Sequence, residues 1–195
     1  MRKYIILLLL AICTQLSADV LGKETLIKGT AKLNEKDVPM WFNVTAEGVV
    51  EVGNGKNAAI SQYSEGELVV PANIVNPVDK RRYKVAKVAN FAFSLCNKLT
   101  AVTLEEGIKE IGENAFSGCN ALQAIGYPSS LTTIGRGAFA GCKQLRHAQL
   151  PKNLASIGQE AFAGNQFADN KLLLPIKVAA IPRLRFMTGS GETPS

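Results

Sequence analysis

Phe93, Phe116, Phe139 and Phe162 stand 23 residues apart, and each follows an alanine: Ala92, Ala115, Ala138 and Ala161. Neither a helix nor a strand has that period, so a chain that keeps it repeats a whole supersecondary unit. Cys96, Cys119 and Cys142 share the spacing, as do Leu99, Leu122 and Leu145. Ile111, Ile134 and Ile157 share it too, and are followed by Gly112, Gly135 and Gly158. Upstream, Val70-Pro71 matches Leu150-Pro151, Ile74 matches Leu154 and Val88 matches Ile157, around an extra stretch from Asn76 to Lys84. Downstream, one added residue between Gly164 and Asn170 restores the register at Leu174-Pro175, Val178, Ile181 and Phe186. Pro182 and Arg185 there replace the glycine and the alanine. A degenerate repeat is expected where a stack ends against water.

Each repeat opens with the same spacing: Leu99-x-x-Val102-x-Leu104, Leu122-x-x-Ile125-x-Tyr127 and Leu145-x-x-Ala148-x-Leu150. The alternation puts Val102 and Leu104 on one face of a short strand. The return leg carries Ile108, Ile111 and Phe116 among polar residues. One repeat cannot bury these side chains alone. Stacked at the ~4.8 Å strand spacing, they make a continuous core in which each phenylalanine contributes roughly 1.5–3 kcal/mol.

The phrases IGENAFSGCNALQAI and IGRGAFAGCKQLRHAQLPKNLASIGQEAF resemble the BspA-like, or Treponema pallidum-type, leucine-rich repeats. The resemblance is strong over about residues 67–165 and extends weakly to Phe186. The preceding segment, with Trp41-Phe42-Asn43-Val44 and then Gly48 to Gly53, reads as strands separated by turns and is similar to the family's β-rich lead-in. The expected fold is a leucine-rich-repeat solenoid of about five 23-residue coils, each with a short parallel β-strand, behind a β-rich N-terminal cap over the open apolar end. The expected divisions are a signal peptide at 1–18, the cap at 19–66, repeats at 67–186 and a tail at 187–195. The resemblance implies an exported bacterial protein, often at the cell surface, and for some members binding to host matrix or plasma proteins.

The N-terminus agrees with export. Arg2 and Lys3 precede an apolar run from Tyr4 to Ile12, and Leu16-Ser17-Ala18 offers a small residue at a cut site. The run is far short of the ~20 residues a spanning helix needs. A lipid-modified Cys13 is a second reading, disfavoured by Ile12, which is not small. A buried N-terminal strand is a third. Removal of Arg2 and Lys3 leaves 20 basic against 16 acidic residues, a mild excess that does not call for nucleic acid.

Little in the chain suggests catalysis. The three repeat cysteines fall on successive coils, which leaves buried free thiols, one disulfide between neighbours, or a metal as readings. The next repeat places Asn165 at their position; it cannot ligate as a thiolate, but it fills the same tight turn and can bond backbone. The only histidine, His147, faces outward, and the repeat forces no serine or cysteine beside it, so no nucleophile–base–acid set forms. Gly135 to Gly141 lacks dinucleotide-loop spacing, and Gly48 to Gly53 lacks the Lys-Ser/Thr of a phosphate loop. No cofactor or metal is expected. Asn43-Val44-Thr45 matches a glycosylation sequon and carries no further weight.

Binding is the expected activity. Outward strand positions read Glu67 and Val69, Ala101 and Thr103, Ala124 and Gly126, His147 and Gln149, Lys171 and Leu173. Lys80, Arg81 and Arg82, with Tyr83, Lys84 and Lys87, make the densest basic cluster, a solvated hairpin or a contact for an acidic glycan or protein. The candidate partner-binding residues are therefore Ala101, Thr103, Ala124, Gly126, His147, Gln149 and Lys171, with Lys80, Arg81 and Arg82. The expected role is a noncatalytic interaction or adhesion module, secreted, periplasmic or at the cell surface, whose partner is a protein or glycan. The alternative is a structural or vestigial fragment of a larger surface protein. The mature chain should begin at Asp19. Intact mass of the protein from its native host checks this, and a chain starting at a lipidated Cys13 or retaining Met1 overturns it.

Overall fold

The computed structural model describes residues 26–167. The leader, Lys171, Leu173 and the degenerate repeat from Leu174 to Phe186 lie outside the described residues.

Strands β1 (Leu26–Leu33) and β2 (Lys36–Ala46) form an antiparallel hairpin, and β3 (Val49–Val52) pairs with β2 to complete a meander. The two-residue turn Asn34-Glu35 has positive φ at both positions, 49° and 64°. That is the geometry whose twist suits a two-residue hairpin. The sequence reading starts its strands at Trp41 and has no β1. Its inner positions are Ile27, Gly29 and Ala31, and the two small residues mask the apolar alternation. Gly29 is small because a Cβ there would lie 2.7 Å from Cε2 of the buried Phe42.

Two parallel ladders grow from the two edges of this meander. On the β1 edge, β4 (Gly66–Val70) pairs antiparallel with β1, then β7 (Leu99–Leu104) and β9 (Ala124–Gly126) follow in parallel. On the β3 edge, β6 (Arg82–Val88), β8 (Glu110–Ile111), β10 (Thr133–Ile134) and β11 (Ser156–Ile157) succeed one another in parallel. The extra stretch of the first repeat lies in a hairpin, β5 (Asn73–Val75) turning back on β6. A single 11-stranded sheet therefore runs from one ladder through the meander to the other.

A third side is built from turns. The amides of Phe93, Phe116 and Phe139 donate to the carbonyls of Ala115, Ala138 and Ala161 at 2.8, 2.8 and 2.7 Å. Each backbone thus finds its partners in the next coil, which a chain of short loops must do if they are to be buried. Inside, the four phenylalanine rings stack with centroids 5.0, 5.2 and 5.3 Å apart and planes within 12°. Such pairs contribute about 0.5–1.5 kcal/mol beyond the area they bury.

The repeated glycine has a direct cause. A Cβ on Gly135 would lie 2.7 Å from both the Glu113 nitrogen and the Gly112 carbonyl carbon. Gly112 and Gly158 meet the backbone of the preceding coil in the same way. The obstruction is main chain, which cannot rotate aside.

Phe139, packed between Phe116 and Phe162, should lose about 3–5 kcal/mol on substitution by alanine. Gly135→Ala should lose about 1–3 kcal/mol by forcing two coils apart, although it adds only a methyl group. Denaturant melts of both variants test this. A Gly135→Ala protein as stable as the parent would show that the coils are not held at backbone contact.

Candidate functional site

The strand ladder is the surface with regular chemistry. Its pairing aligns Glu67, Ala101 and Ala124 in one row and Val69, Thr103 and Gly126 in the next. Thr103, Ala124 and Gly126 are exposed and Ala101 is half-buried, while Leu68, Val70, Val102 and Leu104 face the core. Regular pairing among the described residues ends at β9. His147 and Gln149 follow in the repeat register and are exposed, while the alternating Ala148 and Leu150 are buried. The surface is mostly neutral and has Glu67 as the one carboxylate in its two rows.

The basic cluster sits elsewhere. Register Ile74↔Tyr83 and Val75↔Arg82 builds the β5–β6 hairpin, with Ile74 buried and Arg82 exposed. Its turn is closed by Asn76 N–H donating to the Arg81 carbonyl and Lys80 N–H to the Asn76 carbonyl, both at 2.9 Å. Lys80, Arg81, Arg82 and Lys84 are exposed without an ion pair among the described residues. Lys87 separates from them, because its Nζ lies 2.8 Å from Glu110. The hairpin belongs to the β6 ladder, so the candidate residues divide between two places on the molecule.

Asn43 of the sequon is half-buried and donates its side-chain amide to Glu51 at 3.0 Å. The glycines of the Gly135–Gly141 stretch are accounted for by close backbone approach at Gly135 and by positive φ at Gly137 and Gly141, 57° and 73°. Among the described residues no three His, Cys, Asp or Glu side chains group as a metal site, and no helix is long and apolar enough to cross a membrane.

The cysteines form a free, buried ladder. Cys119 Sγ donates to the Phe93 carbonyl at 3.1 Å and Cys142 Sγ to the Phe116 carbonyl at 3.2 Å. Each sulfur thus ties its coil to the one before. Burial pushes the Cys96 thiol up to about 11 and that of Cys142 up to about 12. Cys119 is raised further, by burial first and then by its two sulfur neighbours. Burial and raised pKa make all three poor nucleophiles, and Cys119 and Cys142 serve as structural donors. Asn165 takes the next position buried, and its side-chain amide has no partner among the described residues.

Two exposed apolar residues were missed by the sequence reading. Phe91 and Leu95 have φ of 58° and 61°. The 23-residue register sets Leu95 against Gly118, Gly141 and Gly164, all at 73°, and Phe91 against Asn114, Gly137 and Glu160. Carrying the alignment through the turn would have found them, because bulky residues rarely take this backbone conformation.

The family model described as BspA type leucine rich repeat region matches residues 80–189 in six copies, more than half of the chain. Among solved structures, a leucine-rich repeat protein from Bacteroides ovatus is 33% identical with a TM-score of 0.61, covering 70% of this chain and 34% of its own. The Treponema pallidum leucine-rich repeat protein is 26% identical with a TM-score of 0.60, covering 71% and 59%. A leucine-rich cell surface protein from Faecalibacterium prausnitzii is 26% identical with a TM-score of 0.53, covering 64% and 29%. The chain therefore spans about a third of the first and three fifths of the second. No curated protein matches it.

The thiol ladder makes stability fall in alkali. Thiols of the unfolded chain ionise near pH 8.5, so the raised folded values favour the fold fully below that pH. This contribution is lost as pH rises from there through about 11 to 12. Denaturant midpoints in reductant should drop over this window, and less steeply in Cys96→Ala. In the folded protein all three thiols should resist an alkylating reagent, and in denaturant all three should react. A thiol that reacts equally fast in both states overturns the assignment.

Proposed function

Because the chain belongs to the BspA type leucine-rich-repeat family, we propose that it acts by noncatalytic binding, as an exported interaction or adhesion module that holds a partner protein on its strand face. The observation that carries this reading is the pair of rows through Ala101–Ala124 and Thr103–Gly126. Small side chains on a rigid, hydrogen-bonded ladder leave room for a partner's side chains at little entropic cost. His147 and Gln149 add polar anchors beside the rows. The N-terminal meander serves as the cap of about five coils, supported by its pairing with both β4 and β6. The signal-like leader and a cell-surface relative support export.

The alternative is a structural fragment of a larger surface protein, favoured by the short span relative to the Bacteroides ovatus protein. A panel of immobilised host matrix proteins separates the two. An interaction module gives saturable binding to at least one, whereas a purely structural piece gives none. For the protein bound, Ala124→Arg and Gln149→Glu should each weaken affinity by about tenfold, the effect of a disrupted central contact. If both variants fold and bind as tightly as the parent, the strand face is not the site.

A further inference from the structure

Trp41 is the only tryptophan of the chain and is 44% exposed on the outer face of β2. The β1–β2 register sets Lys28 opposite it, with the lysine Nζ 6.0 Å from the ring centroid. The next outward pair is Thr30 opposite Pro39. A shallow cleft of about 290 Å³ is lined by Lys28, Thr30, Asp37, Val38, Pro39 and Pro77 beside Gly29, and Trp41 adjoins it through Lys28. Pro77 comes from the β5–β6 turn, the same turn that carries Lys80 and Arg81 and leads into Arg82. The turn is fixed by its two backbone bonds and by Arg81 N–H donating to Asp79 at 2.9 Å. Asp37, the acidic residue of the cleft lining, is engaged by Lys32 at 2.7 Å. Lys28 thus both lines the cleft and lies over Trp41, and Pro77 brings to the same cleft the turn that carries Lys80 and Arg81, which have no ion pair among the described residues.

We propose that this cleft binds an acidic polysaccharide, with a sugar ring against Trp41 and sulfate or carboxylate groups against Lys28, Lys80, Arg81 and Arg82. A sulfated or uronic sugar has the matching features: a C–H face that covers an indole, hydroxyls for a polar lining, and anionic groups at its edge. Arginine suits planar or multidentate oxyanions, and a cationic rim speeds capture of a polyanion. The site is independent of the strand-face reading, since neither β1, β2 nor the β5–β6 turn contributes to the two rows on that face.

Because Trp41 is the sole indole and Lys28 of the cleft lining lies over it, its fluorescence reports binding there. Titrating the purified protein with heparin oligosaccharide should give a saturable change that weakens with added salt. Combined Arg81→Ser and Arg82→Ser should raise the dissociation constant about fivefold, the effect of losing two exposed charge pairs. Trp41→Ala should elute earlier from a heparin column while melting as a folded protein. The strand-face variant Thr103→Gln should bind heparin as the parent does, whether or not that face holds a protein. The proposal is overturned if heparin binds without altering Trp41 fluorescence, or if the arginine pair has no effect. Single-stranded DNA of equal charge binding as tightly, with the same dependence on Arg81, Arg82 and Trp41, would also overturn it and assign the site to polyanions in general.

Discussion

Everything in this protein depends on neighbouring coils meeting at backbone distance. Gly112, Gly135 and Gly158 permit that approach on the return leg, and the amides of the turns and both parallel ladders use it. The phenylalanine column, with ring centroids 5.0–5.3 Å apart, fits the same step. If one coil were held away from the next, hydrogen bonds on all three sides and the aromatic column would fail together. No single coil has a core of its own, so these contacts are both the secondary structure and the tertiary structure.

The N-terminal meander solves a problem that the repeats cannot. A parallel ladder ends in unpaired backbone groups, an open template for another chain. Here the end of β1, at Lys32 and Leu33, pairs with the first strand of one ladder and β3 with the first strand of the other, so one antiparallel unit adjoins both. The hairpin β5–β6 is accommodated at the same end without disturbing the step between coils. Its buried Ile74 packs toward Gly29 and Phe42, and its charged turn extends into solvent.

Much of the fold was legible because the repeat constrains the sequence at every level. Phe, Cys, Leu and Gly recur for packing, sulfur–carbonyl bonding, strand alternation and close approach, and each was visible as a period. Tyr127 shows the limit of that period: it fills a leucine position edge-on to Phe139, yet its hydroxyl is buried without a partner among the described residues. β1 was hidden because Gly29 and Ala31 occupy inner positions usually marked by large residues. The strand face could be written down from register, and the pairing of β4, β7 and β9 aligns Glu67, Ala101 and Ala124 beside Val69, Thr103 and Gly126. The cleft at Trp41 could not be, because it needs the β1–β2 register together with the folding-back of Pro77. Lys28, Trp41 and Pro77 share no period and come together only in three dimensions.

Equal steps also make the molecule a ruler. A duplication of 23 residues within the array would add one rung, displace all that follows by about the 5 Å strand spacing, and leave the meander and its cleft untouched. An insertion that is not a whole number of repeats leaves the register, as the stretch carried by the β5–β6 hairpin does. Genes encoding such chains can therefore change reach in whole increments while holding chemistry at the base constant. The distance between the Trp41 cleft and the far end of the strand face is then an inherited variable that drifts without cost to the fold.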